Sequence, residues 1–455
     1  MKTTPPVIAV LSALIRRKSN VLTFAAFGTV VLLGAIVASA TPPSQSDFDA
    51  EITRHAQTMI EEGRKIFRYD TFGSESFWGD ALQLHRTIAG EKNGGIGPGV
   101  SPKTALSVGL KVDADALPNA LKEQLAAGKV NLDDPATTIA LLKLNAVVGV
   151  TAFANPDGST KGMGIQCAFC HSTVDDSFAP GIGKRLDGWP NRDLNVGGIV
   201  SLAPNLKPFT DLLGVDADTV KKVLATWGPG RFDAELDKDG KALRPDGKQA
   251  GTLIPPAFGL AGVNLHTWTG FGSVPYWNAY VGATEMHGDG TFFDARLNDK
   301  AQYPVAAKEG AGNTRSKSDK LTSKLAALHF YQLSIPAPKA PEGSYDIAAF
   351  DRGKTLFNGT AKCSTCHVPP LFTKPGNNLH APSEIGVDSF QADRSPTHMY
   401  RTAPLAGLWA HQKGGFYHDG RFATLLDVVN HYDAQFNLNL SDADKKDLIE
   451  YLKGI

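Results

Sequence analysis

The sequence predicts a mainly α-helical protein in two unequal halves, with an export or membrane-anchor helix in front of them. Three observations predict this fold class: an apolar segment after a basic start, helical hydrophobic spacing in both halves, and one short cysteine motif that occurs twice. The chain has 455 residues, of which 42% are hydrophobic and 20% charged, so it is too long for one typical core. We expect more than one domain and exclude disordered and collagen-like classes.

The front of the chain has the features of an export signal. The first 46 residues contain no Asp or Glu, and an apolar run over residues 21–40 follows a basic stretch that ends at Lys18. The run ends in Ala38-Ser39-Ala40, the small-x-small form that a signal peptidase cleaves. Its length also suits a bilayer core of about 30 Å, so cleavage and anchoring both stay open. Either alternative predicts a periplasmic protein, soluble after cleavage or tethered to the inner membrane.

The charge balance limits the partners. Lys plus Arg and Asp plus Glu number 46 each, so no basic surplus is present to hold a nucleic acid. Residues 1–40 contain four basic and no acidic side chains, which leaves 42 basic against 46 acidic side chains in the rest. We expect no nucleic-acid partner and membrane contact only through the N-terminal segment. The oligomeric state is left open.

All four cysteines lie in two copies of the pattern Cys-x-x-Cys-His. Two thiols at this spacing can meet the two vinyl groups of one porphyrin, and the adjacent histidine can bind its iron. Zinc also binds cysteine pairs of this spacing, but the two motifs stand almost 200 residues apart, unlike those of zinc ribbons. A thioredoxin-like pair needs one motif and no following histidine. We predict two covalently bound haem c groups, with thioethers at the cysteines and proximal iron ligands at the histidines: Cys167, Cys170 and His171, and Cys363, Cys366 and His367.

Helical spacing and capping residues predict where the main helices lie. The predicted helices cover residues 47–67, 115–127, 136–147, 320–335, 344–357 and 440–452, the last with Ser441 or Asp442 as its N-cap. Residues 180–270 are dense in Gly, Pro, Asn and Asp, which predicts a zone of loops.

The proline-rich segment 336–341 predicts a stiff, extended connector and the main domain boundary. The expected organisation is an export segment (1–45), an N-terminal haem c domain with insertions (46–335) and a C-terminal cytochrome c domain (336–455). A Gly-x-x-x-Phe element occurs at residues 63–67 and again at 353–357. This weak repeat predicts that each half begins with the same helix, and that long insertions enlarge the first of two cytochrome c-like haem domains.

Three runs near the C-terminus form a signature: Arg401-Thr-Ala-Pro-Leu-Ala-Gly-Leu-Trp409, Gly415-Phe-Tyr-His-Asp-Gly-Arg-Phe-Ala-Thr-Leu425 and Val428-Val-Asn-His-Tyr432. They resemble the dihaem cytochrome c peroxidases and the methylamine-utilisation dihaem enzyme. The long spacing between the haem motifs and the Val-Val-x-His-Tyr ending resemble the rubber-oxygenase branch of the same superfamily. The resemblance covers residues 345–455 and, in the first half, little beyond the haem motif. It implies an exported oxidoreductase that reduces peroxide, or activates dioxygen, at the first haem with electrons relayed from a redox protein through the second.

The resemblance also implies a distal ligand for the second haem. In the peroxidases a Met fourteen residues after the His of the His-Asp-Gly motif binds this haem, and in the methylamine-utilisation enzyme a Tyr does. Counting from His418 gives Tyr432, with His431 one position earlier and about 100° away on a helix. We expect His431, because imidazole is the easier low-spin ligand, with Tyr432 as the alternative. A surface role for His431 stays open, and His418 is expected to bond the backbone or a haem propionate.

The first haem has no distal ligand at the usual distance, because the sequence between His171 and His266 contains neither Met nor His. We expect an open iron site there, since an open haem binds peroxide or dioxygen. Met163, Met286, His287 and His266 are the alternatives that would close it.

The predicted pocket wall over residues 265–289 carries the candidate catalytic residues. Glu285 or His287 would move a proton between the peroxide oxygens, which heterolysis of the O–O bond requires. Trp268 or Trp277 would relay electrons between the haems, where the resembled family places a Trp.

Calcium is in doubt. Related peroxidases hold an interdomain calcium ion partly with a Thr-x-Pro before the His-Asp-Gly motif, and Lys413-Gly414-Gly415 stand there in this sequence. Two other functions stay open: a non-catalytic electron carrier with both haems six-coordinate, and an oxygenase that acts on an organic substrate.

Overall fold

The computed structural model describes residues 45–455, and residues 52–455 form one compact unit. The export or anchor segment expected at residues 21–40 lies outside the described residues. No helix in the described part of the chain is long and apolar enough to cross a membrane.

The described chain is mainly helical, as expected. Its α-helices are α1 (Gln45–Tyr69), α2 (Leu84–Ala89), α3 (Pro102–Ser107), α4 (Asn119–Ala126), α5 (Pro135–Lys143), α6 (Ala168–His171), α7 (Val196–Val200), α8 (Lys207–Leu213), α9 (Ala217–Trp227), α10 (Leu236–Asp239), α11 (Val274–Ala283), α12 (Pro304–Glu309), α13 (Leu325–Ser334), α14 (Ile347–Asn358), α15 (Phe390–Asp393), α16 (Leu425–Phe436) and α17 (Asp442–Gly454). A short π-helix covers Ser76–Ala81.

The strands are short and form six separate two-stranded pairings in the described residues. They are β1 (Val112–Asp113), β2 (Val150–Ala154), β3 (Thr160–Ile165), β4 (Ser172–Val174), β5 (Ile182–Gly183), β6 (Arg185–Asp187), β7 (Arg231–Phe232), β8 (Thr252–Leu253), β9 (Thr291–Phe293), β10 (Asn313–Arg315), β11 (Leu379–His380) and β12 (Tyr400–Arg401). Only β2 and β3 exceed three residues, and they pair in antiparallel fashion just before the first cysteine motif.

The first and last helices of the described chain agree with the sequence patterns. Helix α1 covers the predicted span, and α17 begins at Asp442 with Ser441 as its N-cap. Ser441 and Asp444 form a reciprocal capping box, in which each side chain accepts a hydrogen bond from the backbone N–H of the other. The local signals were therefore sufficient to place this helix.

Two other predicted regions differ from the structure. The helix expected from residue 115 begins only at Asn119, because Leu117 and Pro118 are extended and Pro118 occupies the N-cap. The zone 180–270, expected to be loops, contains α7, α8, α9 and α10. Side chains of Asn195 and Asp216 cap α7 and α9. Helix α7 has only five residues, whereas α9 buries Val220, Leu224 and Trp227 at helical spacing, a pattern that the interpretation from composition overlooked.

The buried apolar residues form one large cluster between Phe67 and Tyr331 and a smaller one between Phe357 and Leu452. The segment 336–341 lies between them without regular structure. A buried ion-pair network links the two halves: Arg394, which is 0% exposed in its side chain, contacts Asp233 at 2.9 Å and Asp239 at 2.8 Å. The segment 336–341 thus lies between two apolar clusters whose surroundings share polar contacts.

The sequence repeat corresponds to one packing arrangement that occurs twice. In the first half, a Cβ on Gly63 would lie 2.0 Å from the carbonyl oxygen of Ala327, so α1 crosses α13 in direct backbone contact. Phe67, four residues later, is fully buried and packs edge-on against Tyr331 of α13 at 5.7 Å.

The second half repeats this crossing. A Cβ on Gly353 of α14 would lie 2.0 Å from the carbonyl oxygen of Asp447 of α17. Phe357 is 1% exposed and packs on Tyr451 with ring centroids 5.1 Å apart. Glycine is needed at each crossing because any side chain would push the two helices apart.

We expect Gly353→Ala to lower the free energy of unfolding by about 2 kcal/mol or more, measured by urea denaturation. Alanine is favoured over glycine in a helix by about 1 kcal/mol, so the sign of the change reports on the crossing. Gly162→Ala is the control, because a Cβ there would meet only Gly79 Cα, at 3.7 Å. Equal or greater stability of Gly353→Ala would contradict the assignment.

Candidate haem sites and the junction between the halves

The first cysteine motif is a tight turn that ends in α6. Three backbone hydrogen bonds fix it: His171 donates to Cys167 at 3.2 Å, Asn191 to Cys170 at 2.9 Å, and Gly188 to His171 at 2.8 Å. Neither thiol forms a disulfide, and burial raises the pKa of both to about 12. Thiols at positions i and i+3 share one face of a helical turn, as attachment to one porphyrin requires.

His171 is held in the tautomer that an iron ligand needs. Its Nδ1 lies 3.2 Å from the carbonyl oxygen of Pro255. Because a carbonyl only accepts, Nδ1 carries the proton and Nε2 keeps its lone pair. Burial lowers the pKa of His171 to about 4, so the imidazole is neutral at physiological pH. Metal-binding histidines are commonly oriented by such a carbonyl.

The second motif has the same arrangement. Residues Cys363–Thr365 form a 3₁₀ turn, and the backbone N–H of His367 donates to Cys363 at 2.9 Å. Nδ1 of His367 lies 3.0 Å from the carbonyl oxygen of Phe372, which again leaves Nε2 with its lone pair. Burial lowers the pKa of His367 to about 4. Both motifs therefore fit haem attachment with histidine as the proximal ligand.

A second test of fit is whether the protein offers partners for the anionic propionates of haem. Several buried basic side chains between the halves carry nitrogen atoms without a hydrogen-bond partner. These atoms are Nε of Arg192, Arg231 and Arg401, and Nε2 of His411 and His418. Unpaired buried donors are rare in native proteins, so their concentration here fits carboxylate groups.

Glu285 lies close to the first motif. It is half-buried, but its Oε1 atom is buried and has no hydrogen-bond partner. Its charge interacts with Cys170, which places the carboxyl group near the turn that would carry the first haem. Burial raises the pKa of Glu285 well above its ordinary value, and Asp237 adds to the rise. Burial and the neighbouring charge of Asp237 therefore favour the protonated form of Glu285.

Helix α10 provides the charged surroundings of Glu285. Lys238 is 2% exposed; its Nζ lies 2.8 Å from Glu235 and stands over the rings of Trp277, at 5.1 Å, and Tyr280, at 4.7 Å. Burial raises the pKa of Asp237 to about 7, and the hydroxyl of Tyr280 lies 3.4 Å from its carboxylate. The sequence did not indicate that the charged residues of α10 surround Glu285, because this helix has only four residues and contains no motif.

His287 and the alternative distal ligands of the first haem have other contacts. His287 stacks on Phe77 with ring centroids 3.5 Å apart, in a left-handed backbone conformation (φ +56°). Nε2 of His266 lies 3.2 Å from the nearby Val263 carbonyl. Met163 and Met286 are both buried, and the carbonyl of Met286 accepts a hydrogen bond from Trp78. The open site on the first haem stays a prediction.

The two candidate relay tryptophans lie in different places. Trp268 donates from Nε1 to the carbonyl of Leu253 at 3.0 Å, and the N–H of Leu253 donates to His418 at 2.7 Å. The carbonyl of Trp268 accepts from the N–H of Arg401 at 3.1 Å. Trp268 therefore joins the two halves, whereas Trp277 faces Lys238 and donates to the Phe271 carbonyl within its own half.

A second aromatic contact between the halves was missed. Trp189 and Trp409 meet edge-on, with ring centroids 5.2 Å apart. Trp189 follows Gly188, whose N–H is bonded to the backbone of His171, so the pair begins next to the proximal ligand. The run that ends at Trp409 carries the family resemblance, but nothing in its spacing predicts a contact between Trp409 and Trp189.

Around the second motif, His431 and Tyr432 have different surroundings. Nε2 of His431 lies 2.8 Å from the carbonyl of Ile385 and is therefore the protonated nitrogen. Tyr432 interacts electrostatically with Cys366 and Cys363, and burial raises its pKa to about 12. Tyr432 thus lies near the second haem motif, while the Nε2 of His431 is already bonded to a loop carbonyl.

His418 and the loop before it lie at the junction. His418 is 3% exposed in its side chain and stacks on Tyr400 at 5.0 Å, and burial lowers its pKa to about 4. The carbonyl of Lys413, in the segment that stands in place of the calcium-binding Thr-x-Pro, accepts a hydrogen bond from Arg192 at 3.2 Å. No cluster of three or more His, Cys, Asp or Glu side chains suited to a metal ion occurs in residues 45–455.

Comparison with known proteins gives one curated relative. No protein-family model matches the chain. The chain is similar to the methylamine utilization protein MauG of Methylorubrum extorquens, with 27% identity over 154 residues, which cover 29% of this chain and 43% of that protein. The match therefore spans less than half of the relative's length. It confirms the superfamily resemblance and supports a dihaem, cytochrome c peroxidase-like redox protein; the rubber-oxygenase features stay a prediction.

Two solved structures were also compared. A MauG-like protein associated with microbial copper homeostasis matches with 17% identity and a TM-score of 0.31, over 50% of this chain and 78% of that one. The hydrazine synthase of Kuenenia stuttgartiensis, pressurized with xenon, matches with 19% identity and a TM-score of 0.27, over 47% and 75%.

We expect the full chain, produced with a haem c maturation system, to contain two haem c groups, measured by the pyridine haemochrome assay. Replacing Cys167 and Cys170 with Ser should leave one haem, and so should replacing Cys363 and Cys366. Lysine at an exposed Ser, such as Ser318, is the control and should leave both. Two haems in either double variant would contradict covalent attachment at that motif.

Proposed function

We propose that this chain is an exported dihaem c-type redox enzyme of the cytochrome c peroxidase type. Peroxide is reduced, or dioxygen activated, beside the first motif, and electrons arrive from a redox protein through the second. The superfamily similarity supports the class, and the position of Glu285 near the first motif, with a buried Oε1 that has no partner, is the observation that carries the reaction. A periplasmic location, with or without an N-terminal anchor, belongs to the same proposal.

Haem would supply redox-active iron at each motif, which can bind and reduce an oxygen–oxygen bond. His171 and His367 would bind the iron through Nε2, which keeps its lone pair. The carbonyls of Pro255 and Phe372 hold each ring in this tautomer by accepting a hydrogen bond from Nδ1. The buried surroundings keep both imidazoles neutral, as ligation requires.

Glu285 moves the proton. Cleavage of a hydroperoxide requires one proton to leave the inner oxygen and one to reach the outer oxygen, which then departs as water. A protonated carboxyl group can donate from one oxygen while it accepts at the other, and the Oε1 of Glu285 has no competing partner. Burial raises the pKa of Glu285 and so favours the protonated carboxyl group, which is the form that can donate.

Asp237 and Lys238 influence the pKa of Glu285 through their charges. Asp237 raises the pKa of Glu285, whereas Lys238 opposes the rise. Tyr280 connects the two elements, because its ring lies under Lys238 and its hydroxyl faces Asp237. The buried cluster thus tunes how tightly Glu285 holds its proton.

Electrons cross between the halves through aromatic side chains. Trp268 has hydrogen-bonded connections to both halves, through Leu253 on one side and Arg401 on the other. This supports Trp268 over Trp277 as the relay. The Trp189–Trp409 contact offers a second short route that begins at the backbone next to His171.

For the second haem we place Tyr432 as the distal ligand, in preference to the His431 expected from the sequence. The proximity of Tyr432 to Cys363 and Cys366 supports this choice. Nε2 of His431 donates a hydrogen bond to the carbonyl of Ile385, so this nitrogen carries a proton and has no lone pair for iron. A phenolate ligand would stabilise ferric iron and give a low potential, unlike the His/Met pair of ordinary peroxidases.

An electron carrier would need a distal ligand on the first haem as well. Of the alternatives, His266 is bonded to the Val263 carbonyl and His287 is stacked on Phe77. These contacts favour the enzyme over the carrier.

Glu285→Gln keeps the size of the side chain but removes its acid–base chemistry. We expect kcat for peroxide consumption, with a reduced cytochrome as donor, to fall at least tenfold, in line with the loss of a general acid–base group. The haem spectra should not change. Glu123→Gln, on the exposed surface of α4, is the control. Wild-type kinetics in Glu285→Gln would discard this role.

Tyr432→Phe removes a phenol oxygen, whereas His431→Gln removes an imidazole. We expect only Tyr432→Phe to change the low-spin signal of the second haem in electron paramagnetic resonance of the oxidised protein, because only Tyr432 would bind iron. If His431→Gln alone changes that signal, the ligand is His431 instead.

A further inference from the structure

Two arginines of the first half reach the backbone of a loop in the second. Nη1 of Arg192 donates to the carbonyl of Lys413 at 3.2 Å, and Nη2 of Arg231 donates to the carbonyl of Asp419 at 3.4 Å. Gly420 lies in the left-handed region (φ +72°), and a Cβ there would be 2.8 Å from Nη2 of Arg231. A Cβ on Gly420 would also lie 2.3 Å from the carbonyl oxygen of Gly414, so the fold of the loop itself requires glycine at this position.

The positive charge of this pair is not neutralised by the neighbouring carboxylates. Asp193, next to Arg192, is paired with Lys111 at 2.7 Å and with Lys413. The carboxylate of Asp419 is paired with Arg421 at 2.8 Å. Arg192 is 6% exposed; burial lowers its pKa to about 10, and the charge of Arg231 adds to this effect. Two neighbouring guanidinium charges that are partly removed from water repel each other, and an anion is required to offset this repulsion.

The pair also has donors to offer. Nε of Arg192 and Nε of Arg231 are both buried without a partner. Nε2 of His411 is also buried without a partner; burial and the charge of Arg192 lower the pKa of His411 to about 3, so this imidazole is neutral. Guanidinium N–H groups bind carboxylates as strong, charge-assisted hydrogen bonds. The unfilled acceptor is therefore a carboxylate or a similar small anion.

The location selects the source of this anion. Arg192 follows Asn191, whose N–H is bonded to Cys170 of the first motif. Arg231 lies in β7 opposite Leu253 of β8, and the N–H of Leu253 is bonded to the backbone of His418. The pair thus lies between the two halves, with Arg192 buried and Arg231 half-buried. Haem is the carboxylate-bearing group that the motifs bring to this region.

We propose that Arg192 and Arg231 form a binding site for a haem propionate at the junction of the two halves. This inference rests on the proposed presence of haem c and goes beyond it, because it assigns the residues that hold the carboxylate and that set its electrostatic field. The two guanidinium charges favour the reduced state of nearby iron, since they oppose an added positive charge. The site also ties the halves together through one shared anion.

The test uses the full chain with haem c attached. Arg192→Gln removes one of the two guanidinium groups of the site. Arg315→Gln is the control, because it removes the same charge from an exposed arginine of β10. We expect the propionate bending band in the resonance Raman spectrum to shift in Arg192→Gln only. The reduction potential of one haem should become lower in that variant and stay at the wild-type value in Arg315→Gln.

An unchanged Raman band and unchanged potentials in Arg192→Gln would overturn the proposal. If this variant does not accumulate, Arg192→Lys is the alternative, because lysine keeps the positive charge but lacks the several N–H donors of a guanidinium group. Arg192→Lys should shift the Raman band and change the reduction potential less than Arg192→Gln. Arg231→Gln should behave as Arg192→Gln does. Wild-type behaviour in both variants would equally overturn the site.

A free anion is the other source of the same chemistry. Titration of the wild-type protein with inorganic phosphate should leave the Raman band and the potentials unchanged, because the propionate already occupies the site. A saturable shift that is absent in Arg192→Gln would assign the site to a solvent anion and reject the propionate. If the wild-type protein contains no haem c in the pyridine haemochrome assay, the proposed function fails, and the result is distinct from each of these outcomes.

Discussion

The close crossing of two helices through a glycine is the constraint on which the rest of the structure depends. Gly63 brings α1 against α13, and Gly353 brings α14 against α17, each at a distance that leaves no room for a Cβ. The crossings fix the two apolar cores, and Phe67 and Phe357 fill the space beside them. Because each cysteine motif lies in a turn packed on one of these cores, the crossings also set where a haem can be attached.

Burial controls the protonation of nearly every group around the two motifs. Burial lowers the pKa of His171 and His367, which keeps their lone pairs available, and it raises the pKa of Glu285, which favours the protonated carboxyl group. The same physical cause thus shifts the pKa of bases and acids in opposite directions, and in both cases it favours the neutral form. At the junction, Arg192 stays positive despite its burial, which sets this part of the molecule apart as a place for an anion.

Local signals were sufficient where a residue acts through its immediate neighbours. The capping box at Ser441 placed the start of α17, and the five-residue cysteine motifs marked both turns. They failed where a distant contact decides the structure. Composition is also a poor guide to residues 180–270, which contain helices where it predicts loops, and the helix expected from residue 115 is delayed by the extended backbone at Pro118.

The sequence by itself determined the chemistry that this protein can carry: two thiol pairs with adjacent histidines, glycine-spaced helices, and Glu285 and Trp268 as candidates, because each of these depends on residue type and short spacing. Only the tertiary structure decided which groups meet. It placed Asp237 and Lys238 around Glu285, brought Trp189 to Trp409, separated the surroundings of His431 from those of Tyr432, and set Arg192 beside Arg231. These pairs are remote in sequence or differ only in the side of a helix they occupy, so their proximity follows from packing, which short-range patterns do not encode.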